Sequence, residues 1–287
     1  MGLTYYPSPR AHAALNPDAL RETFVADKAA WDGRPISSAY DLHAVETLRE
    51  RHGLGAAKGV PTDVFVWGQG EPKDRTVTKV GGLPCWGAET PWPERDGVPR
   101  VFLAQFSFRD SLDLVGTLPG ELLVVFTDPE FSWVSGDPDG LLCQWVSVGT
   151  GRLIVERLLP KPRKPFFKGY GIIHRTRDHP EAQEGAGIPV VLNATKIGGV
   201  PSGEPVRMPE GTRFLAQLAS IQAAPHVDYP WVNHPRPLDL SPDPTGIHGE
   251  TNQLRIGDAA SLQLHLHGDG RVGWAVSEGG PKKGFAN

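Results

Sequence analysis

Cysteine is scarce. Cys85 and Cys143 are the only two among 287 residues, too few for a disulfide framework, and they read as small buried hydrophobes of a reducing compartment. A single bridge between them stays open at this point. Long apolar runs are missing as well, and none approaches the roughly 20 residues a membrane helix needs. The opening residues Met1 to Tyr6 lack the charged and apolar regions of a signal peptide, and Tyr6 stands where a myristoylation signal needs Ser or Thr. The expectation is a cytoplasmic protein with no membrane partner. No basic excess exists either: 29 Lys and Arg stand against 33 Asp and Glu, for a net charge of -4, which argues against a nucleic-acid partner.

The standard catalytic signatures are also lacking. There is no Gly-x-Ser-x-Gly elbow and no His-Glu-x-x-His. The Gly-rich stretch Gly53 to Gly59 has no Gly-Lys-Ser/Thr, so it does not read as a phosphate cradle. Neither cysteine sits in a context that predicts activation. No cofactor is expected, and no catalytic residue is assigned.

What the chain has in excess is turn formers. Gly 34 and Pro 28 make up about a fifth of the residues, against a usual share of about 12%. Each one inside a helix costs about 1–3 kcal/mol, which disfavours long helices and favours short strands joined by turns. Such runs occur at 64–67, 75–80, 101–108, 122–127, 142–148, 152–159, 188–192, 214–221, 262–267 and 272–276, each bounded by Gly, Pro or Asp. Residues 160–171 and 178–187 read as a boundary or long loop, and 225–249 as a surface excursion.

The first fifty residues differ. Asn16-Pro17-Asp18 is a helix start, followed by Leu20, Phe24 and Trp31 on one face and Asp32-Gly33 as a stop. Ser38 with Asp41 resembles a capping box, and Gly53 sits where a helix-ending glycine belongs. The expectation is an α+β fold: a helical segment over 1–60, with a hairpin at 16–53 packed on the sheet of a strand-rich domain over 61–287.

That domain contains an internal duplication. Thr78-Lys79-Val80-Gly81-Gly82-Leu83-Pro84 recurs as Thr195-Lys196-Ile197-Gly198-Gly199-Val200-Pro201, and Phe102-Leu103-Ala104-Gln105-Phe106 recurs as Phe214-Leu215-Ala216-Gln217-Leu218. Two matches in the same order predict two tandem homologous β-rich halves, at about 62–150 and 188–276, with a shorter connection in the second. A weaker third match pairs Leu122–Phe126 with Leu262–Leu266. Paired glycines between a strand and a proline predict a sharp turn, and an inward-facing glutamine needs the polar groups of that turn as partners.

These motifs resemble those of the YwqG-like family of bacterial proteins. The shared order is TKVGGLP, Pro91-Trp92-Pro93, FLAQ and LPGELLVVF in the first copy, then TKIGGVP, FLAQL and a late Ile256-Gly257-Asp258 in the second. The resemblance covers about residues 62–276. It implies a sheet-dominated α+β domain with a pseudo-repeat and an undefined biochemical activity; some members lie near toxin and immunity genes. This chain departs from the family at Ser202-Gly203-Glu204, where an aromatic and a glutamine often follow the turn.

The candidate binding residues are Lys79, Gln105, Lys196 and Gln217, read either as braces of their turns or as a set converging on a cleft between the halves. Trp92 joins them, because aromatics in Pro- and Gly-rich loops, here Trp86, Trp92, Trp133 and Trp231, often anchor partners. His265 and His267 alternate onto one strand face and suit zinc if a third ligand arrives, but nothing fixes that ligand, and no metal is assigned. Asp137 to Gly140 reads as a β-turn rather than a calcium loop. The function expected is a non-enzymatic cytoplasmic protein-binding module, an immunity or accessory protein whose partner is another protein, itself a monomer or homodimer. The alternative is a metal-dependent or small-ligand-binding enzyme using a cleft between the halves.

Overall fold

The computed structural model describes residues 59–277 apart from 70, 73, 150, 156–157, 163–165, 167, 185–187, 192–193, 204–209, 223–252, 255 and 257–259. In chain order the elements are β1 (Val60–Gln69), β2 (Lys79–Val80), β3 (Glu94–Arg95), β4 (Val98–Pro99), β5 (Val101–Ser107), α1 (Leu112–Val115), β6 (Leu122–Thr127) and β7 (Leu141–Val146). There follow β8 (Gly169–Glu184), β9 (Ile188–Val190), β10 (Lys196–Gly198), β11 (Arg213–Ala219), β12 (Ile221–Gln222), β13 (Gln253–Leu254), β14 (Ser261–Leu266) and β15 (Val272–Ser277).

The α+β expectation is corrected. The described residues form three antiparallel sheets, the only α-helix among them is the four-residue α1, and no helical hairpin is present. Helix α1 stops after one turn because Gly116, at φ 65°, leaves the helical region. The hairpin read at 16–53 and the excursion read at 225–249 lie outside the described residues.

The main sheet has eleven strands in the order β15-β14-β11-β10-β1-β8-β2-β5-β6-β7, with β9 attached to β8. This order has a symmetry. From the centre outward, β8 is followed by β2, β5, β6 and β7, and β1 is followed by β10, β11, β14 and β15. Each half therefore lends its first strand to the other. Within the sheet β1 pairs with β10 and β8, and β8 with β2, so neither long strand lies beside the glycine-turn strand of its own half. The backbone bonds repeat accordingly: Phe65 N–H donates to Thr195 O at 3.0 Å and Gly171 N–H to Thr78 O at 2.9 Å. A register shift falls between Phe102 and Ala104 in one half and between Phe214 and Ala216 in the other.

Alternation of side chains across these strands gives the sheet two buried faces. One carries Leu103, Phe106 and Val125 from the first half and Ile197, Leu218 and Leu264 from the second, all in a single cluster. The sheet curls so that its ends meet over this core: the Trp145 Nε1–H donates to Gly270 O at 2.9 Å, and Trp133 meets Trp274 edge-on at 6.3 Å. Each such buried side chain contributes about 1.5–3 kcal/mol. On the other face of the first half, Trp86, Phe102, Val124, Phe126 and Ile154 make a second, separate cluster.

Three strand boundaries depart from expectation. The run 75–80 shortens to Lys79–Val80, because the Gln105 side chain occupies the carbonyls of Arg75 and Val77. Among its described residues, the run 152–159 keeps only an isolated bridge between Leu153 and Gly87. The stretches 160–171 and 178–187, read as a boundary or long loop, are both entered by β8 (Gly169–Glu184), the longest strand described.

Candidate functional site

The duplicated turns show how the predicted binding residues are used. Lys79 lies opposite Gln105, and Lys196 opposite Gln217. Gly81 and Gly82 have φ of 59° and 69°, while Gly198 and Gly199 have 67° and 73°. That left-handed geometry excludes most side chains. Gln105 Oε1 accepts from Cys85 N–H at 2.8 Å, and Gln217 Oε1 from Ser202 N–H at 3.0 Å. The amide group of Gln105 donates to Arg75 O and Val77 O, that of Gln217 to Ala194 O and Ser202 Oγ. Thr78 Oγ1 accepts from Ser107 N–H, as Thr195 Oγ1 does from Ala219 N–H.

Both lysines are spent inside the fold. Lys79, 1% exposed, is paired with Glu71, and Lys196, 0% exposed, with Asp178 at 2.8 Å. Each carboxylate also caps its own glycine turn: Glu71 accepts from Leu83 N–H and Asp178 from Val200 N–H, both at 2.8 Å. Burial pushes the Lys79 ammonium below its usual range, with Glu71 opposing. The pairs Lys79–Gln105 and Lys196–Gln217 sit in different halves, separated in the sheet by β1 and β8. Lys79 and Lys196 are therefore buried at two separate turns rather than lining one cleft.

The loop tryptophans turn inward. Trp86 and Trp133 are buried, and half-buried Trp92 packs on Trp86 and Phe126, its Nε1–H donating to Arg100 O at 2.7 Å. Trp231 lies outside the described residues. Both cysteines are free thiols raised in pKa by burial, Cys143 to about 12. His265 lies on β14 and His267 just past its end, and no group of three metal-ligating side chains exists among the described residues. Burial, with a smaller contribution from His267, lowers the His265 imidazole to about 4.

A surface feature that no sequence motif marks is an open groove of about 650 Å³ between α1 and the β6–β7 end of the sheet. Phe108, Leu112 and Leu118 form its apolar part, Arg109 and Glu121 its charged walls, and Ser147 its end at the edge strand β7. Leu112 is 50% exposed. The wall is held from below by a buried carboxylate: Asp63 on β1 accepts from Ser111 Oγ at 2.6 Å and from the Arg175 guanidinium of β8, which also reaches Asp113 at 2.6 Å. These bonds, to Asp63 first and Asp113 second, raise the Arg175 pKa further and keep it charged. Only the meeting of β1, β8 and α1 brings these residues together, so sequence spacing carries no sign of them.

Compared with known protein families and with curated proteins, the chain matches none. Among the described residues, no helix is long and apolar enough to cross a membrane.

Proposed function

We propose that this protein is a protein-binding module whose docking surface is the groove beside α1. The observation that carries the reading is Leu112, a large apolar side chain left half exposed at the mouth of a concave surface. Exposed apolar groups in such a setting mark interaction sites more often than isolated ones do. The partner is a polypeptide segment that places one apolar side chain against Phe108, Leu112 and Leu118 and a nearby carboxylate against Arg109. The Arg109 guanidinium is available for that contact, since its own neighbours Asp74 and Asp110 stand at 4.0 and 3.8 Å, a range in which surface pairs contribute little. The motif order shared with YwqG-like proteins, some of them near toxin and immunity genes, fits an accessory or immunity role in which the module covers a partner's working surface.

The test is selection of displayed peptides on the whole protein, followed by affinity measurement on the Leu112→Lys and Arg109→Glu variants. The expected result is an enriched apolar residue with an acidic neighbour, with binding weakened about tenfold or more by each change. Peptides that bind both variants as well as the parent would overturn the assignment. Leu112 is half exposed and Arg109 more than half, so neither variant is expected to disturb folding.

A further inference from the structure

The segment Arg109-Asp110-Ser111-Leu112 carries both sides of one recognition. The Arg109 and Asp110 side chains are 61% and 64% exposed, and half-exposed Leu112 stands at the groove mouth beside the hollow of Phe108 and Leu118. The apolar surface continues past the end of β7. Val148, 42% exposed, follows the lining residue Ser147, and its N–H donates to the wall residue Glu121 at 2.7 Å. Two of the five large hydrophobic side chains left exposed among the described residues thus border this one groove. Single exposed hydrophobics are ordinary, whereas several around one hollow mark an association surface.

The segment is held in place before anything docks. Ser111 Oγ donates to the buried Asp63 at 2.6 Å, and the Arg175 guanidinium donates to Asp113 at 2.6 Å and to Asp110 O at 3.2 Å. Leu114 lies against Gly198 of the second half, where an added Cβ would stand 3.1 Å from the Leu114 Cβ. Docking therefore requires no reordering of this backbone, which keeps its entropic cost low. Arg109 stands 3.8 Å from its own Asp110, both of them largely in water. Such a pair holds its members weakly, so each is free to meet an opposite charge from outside.

We propose that this groove is the interface of a two-fold symmetric homodimer, in which Leu112 of each copy enters the groove of the other and Arg109 pairs with Asp110 of the second copy. The inference rests on the reading of the groove as a docking surface and names what covers it when no other partner is bound. Charge favours the second copy. A two-fold axis lays a surface on itself, so the patch must carry both a knob and a hollow and both a cation and an anion. A receptor for a foreign acidic peptide needs only the hollow and the cation; here the knob Leu112 and the anion Asp110 are present as well. One groove is small against the roughly 1,600 Å² of a standard interface, so the dimer is weak, with Kd about 10–100 µM. A partner that binds more tightly displaces the second copy.

The experiment is sedimentation of the whole protein over about 1 µM to 1 mM, where monomer is expected to pass into dimer. Arg109→Glu and Asp110→Lys each set like charges across the axis twice, and each alone should raise Kd about tenfold or more. Mixed in equal amounts, the two variants should recover the parent's association, because every contact in the mixed pair again joins opposite charges. A monomer at every concentration, a dimer that neither change weakens, or a mixture no better than its components each overturns the proposal. Leu112→Lys gives a second route should a charge variant fail to fold: it should weaken the dimer as much, and an unchanged Kd overturns the proposal too. The peptide selection is read separately. A dimer without selected peptides overturns the peptide assignment alone, and peptides bound by a protein that stays monomeric overturn the dimer alone.

Discussion

At the scale of single residues, buried polar groups carry the largest consequences. Gln217 satisfies Ser202 N–H, Ala194 O and Ser202 Oγ at once. Gln217→Leu is isosteric enough to fit and leaves these groups without water, so a loss of about 3 kcal/mol is expected in urea unfolding. Gln105→Leu should cost about the same. His265 gives a pH dependence. Its folded pKa of about 4 lies below the ordinary 6.5, so the unfolded chain takes up the proton first. Stability is complete above pH 6.5 and declines as pH falls toward 4, by about 3 kcal/mol in total. The His265→Phe variant should lack that decline; parallel curves for variant and parent would sink the attribution. An inward glutamine needing turn partners was legible in the FLAQ alternation. Its lysine neighbour's carboxylate was not, since Glu71 and Asp178 sit outside the repeated motifs.

At the scale of elements, the two glycine turns are built alike and anchored by different acids. In the second turn the anchoring pair is wholly buried. Lys196→Met strips Asp178 of its cation and should destabilise by about 3–5 kcal/mol, whereas the double variant Lys196→Met/Asp178→Asn should regain most of it, because the amide oxygen still accepts from Val200 N–H. Denaturant midpoints of the three proteins decide this. If the double variant is no better than the single one, the cost lies in lost packing instead. Strand β8 shows why an element can be hidden. Its run His174-Arg175-Thr176-Arg177-Asp178-His179 looks like solvated loop, yet Arg175 is drawn to the buried Asp63 and Asp178 to Lys196. Charges that pair across strands leave no apolar alternation to read.

At the scale of the molecule, exchange of first strands makes the halves interdependent. With β1 seated between β8 and β10, and β8 between β1 and β2, neither half keeps a complete sheet without the other. A protease site inserted at 163–165, between β7 and β8, should therefore yield a nicked protein whose two pieces co-elute under native conditions and part only in denaturant. Separation in native buffer would show that the central pair does not hold the halves together. The curled sheet also explains the fate of the tryptophans. Trp133 closes the gap toward β15 by meeting Trp274, and Trp86 with Trp92 seals the outer face of the first half. Loops that look like docking surfaces in a linear reading thus serve as lids on the cores.

Turn positions, alternation of inward and outward side chains, and the recurrence of one motif pair were all contained in the chain's linear order, because backbone sterics at glycine and the two-residue period of a strand are properties of neighbours in sequence. Which strands pair was decided only in three dimensions. So were the carboxylate each lysine meets, the burial of His265, and the place where Leu112 is left exposed. Those outcomes depend on segments a hundred residues apart finding one register, and the free energy that selects it comes from contacts no local window contains.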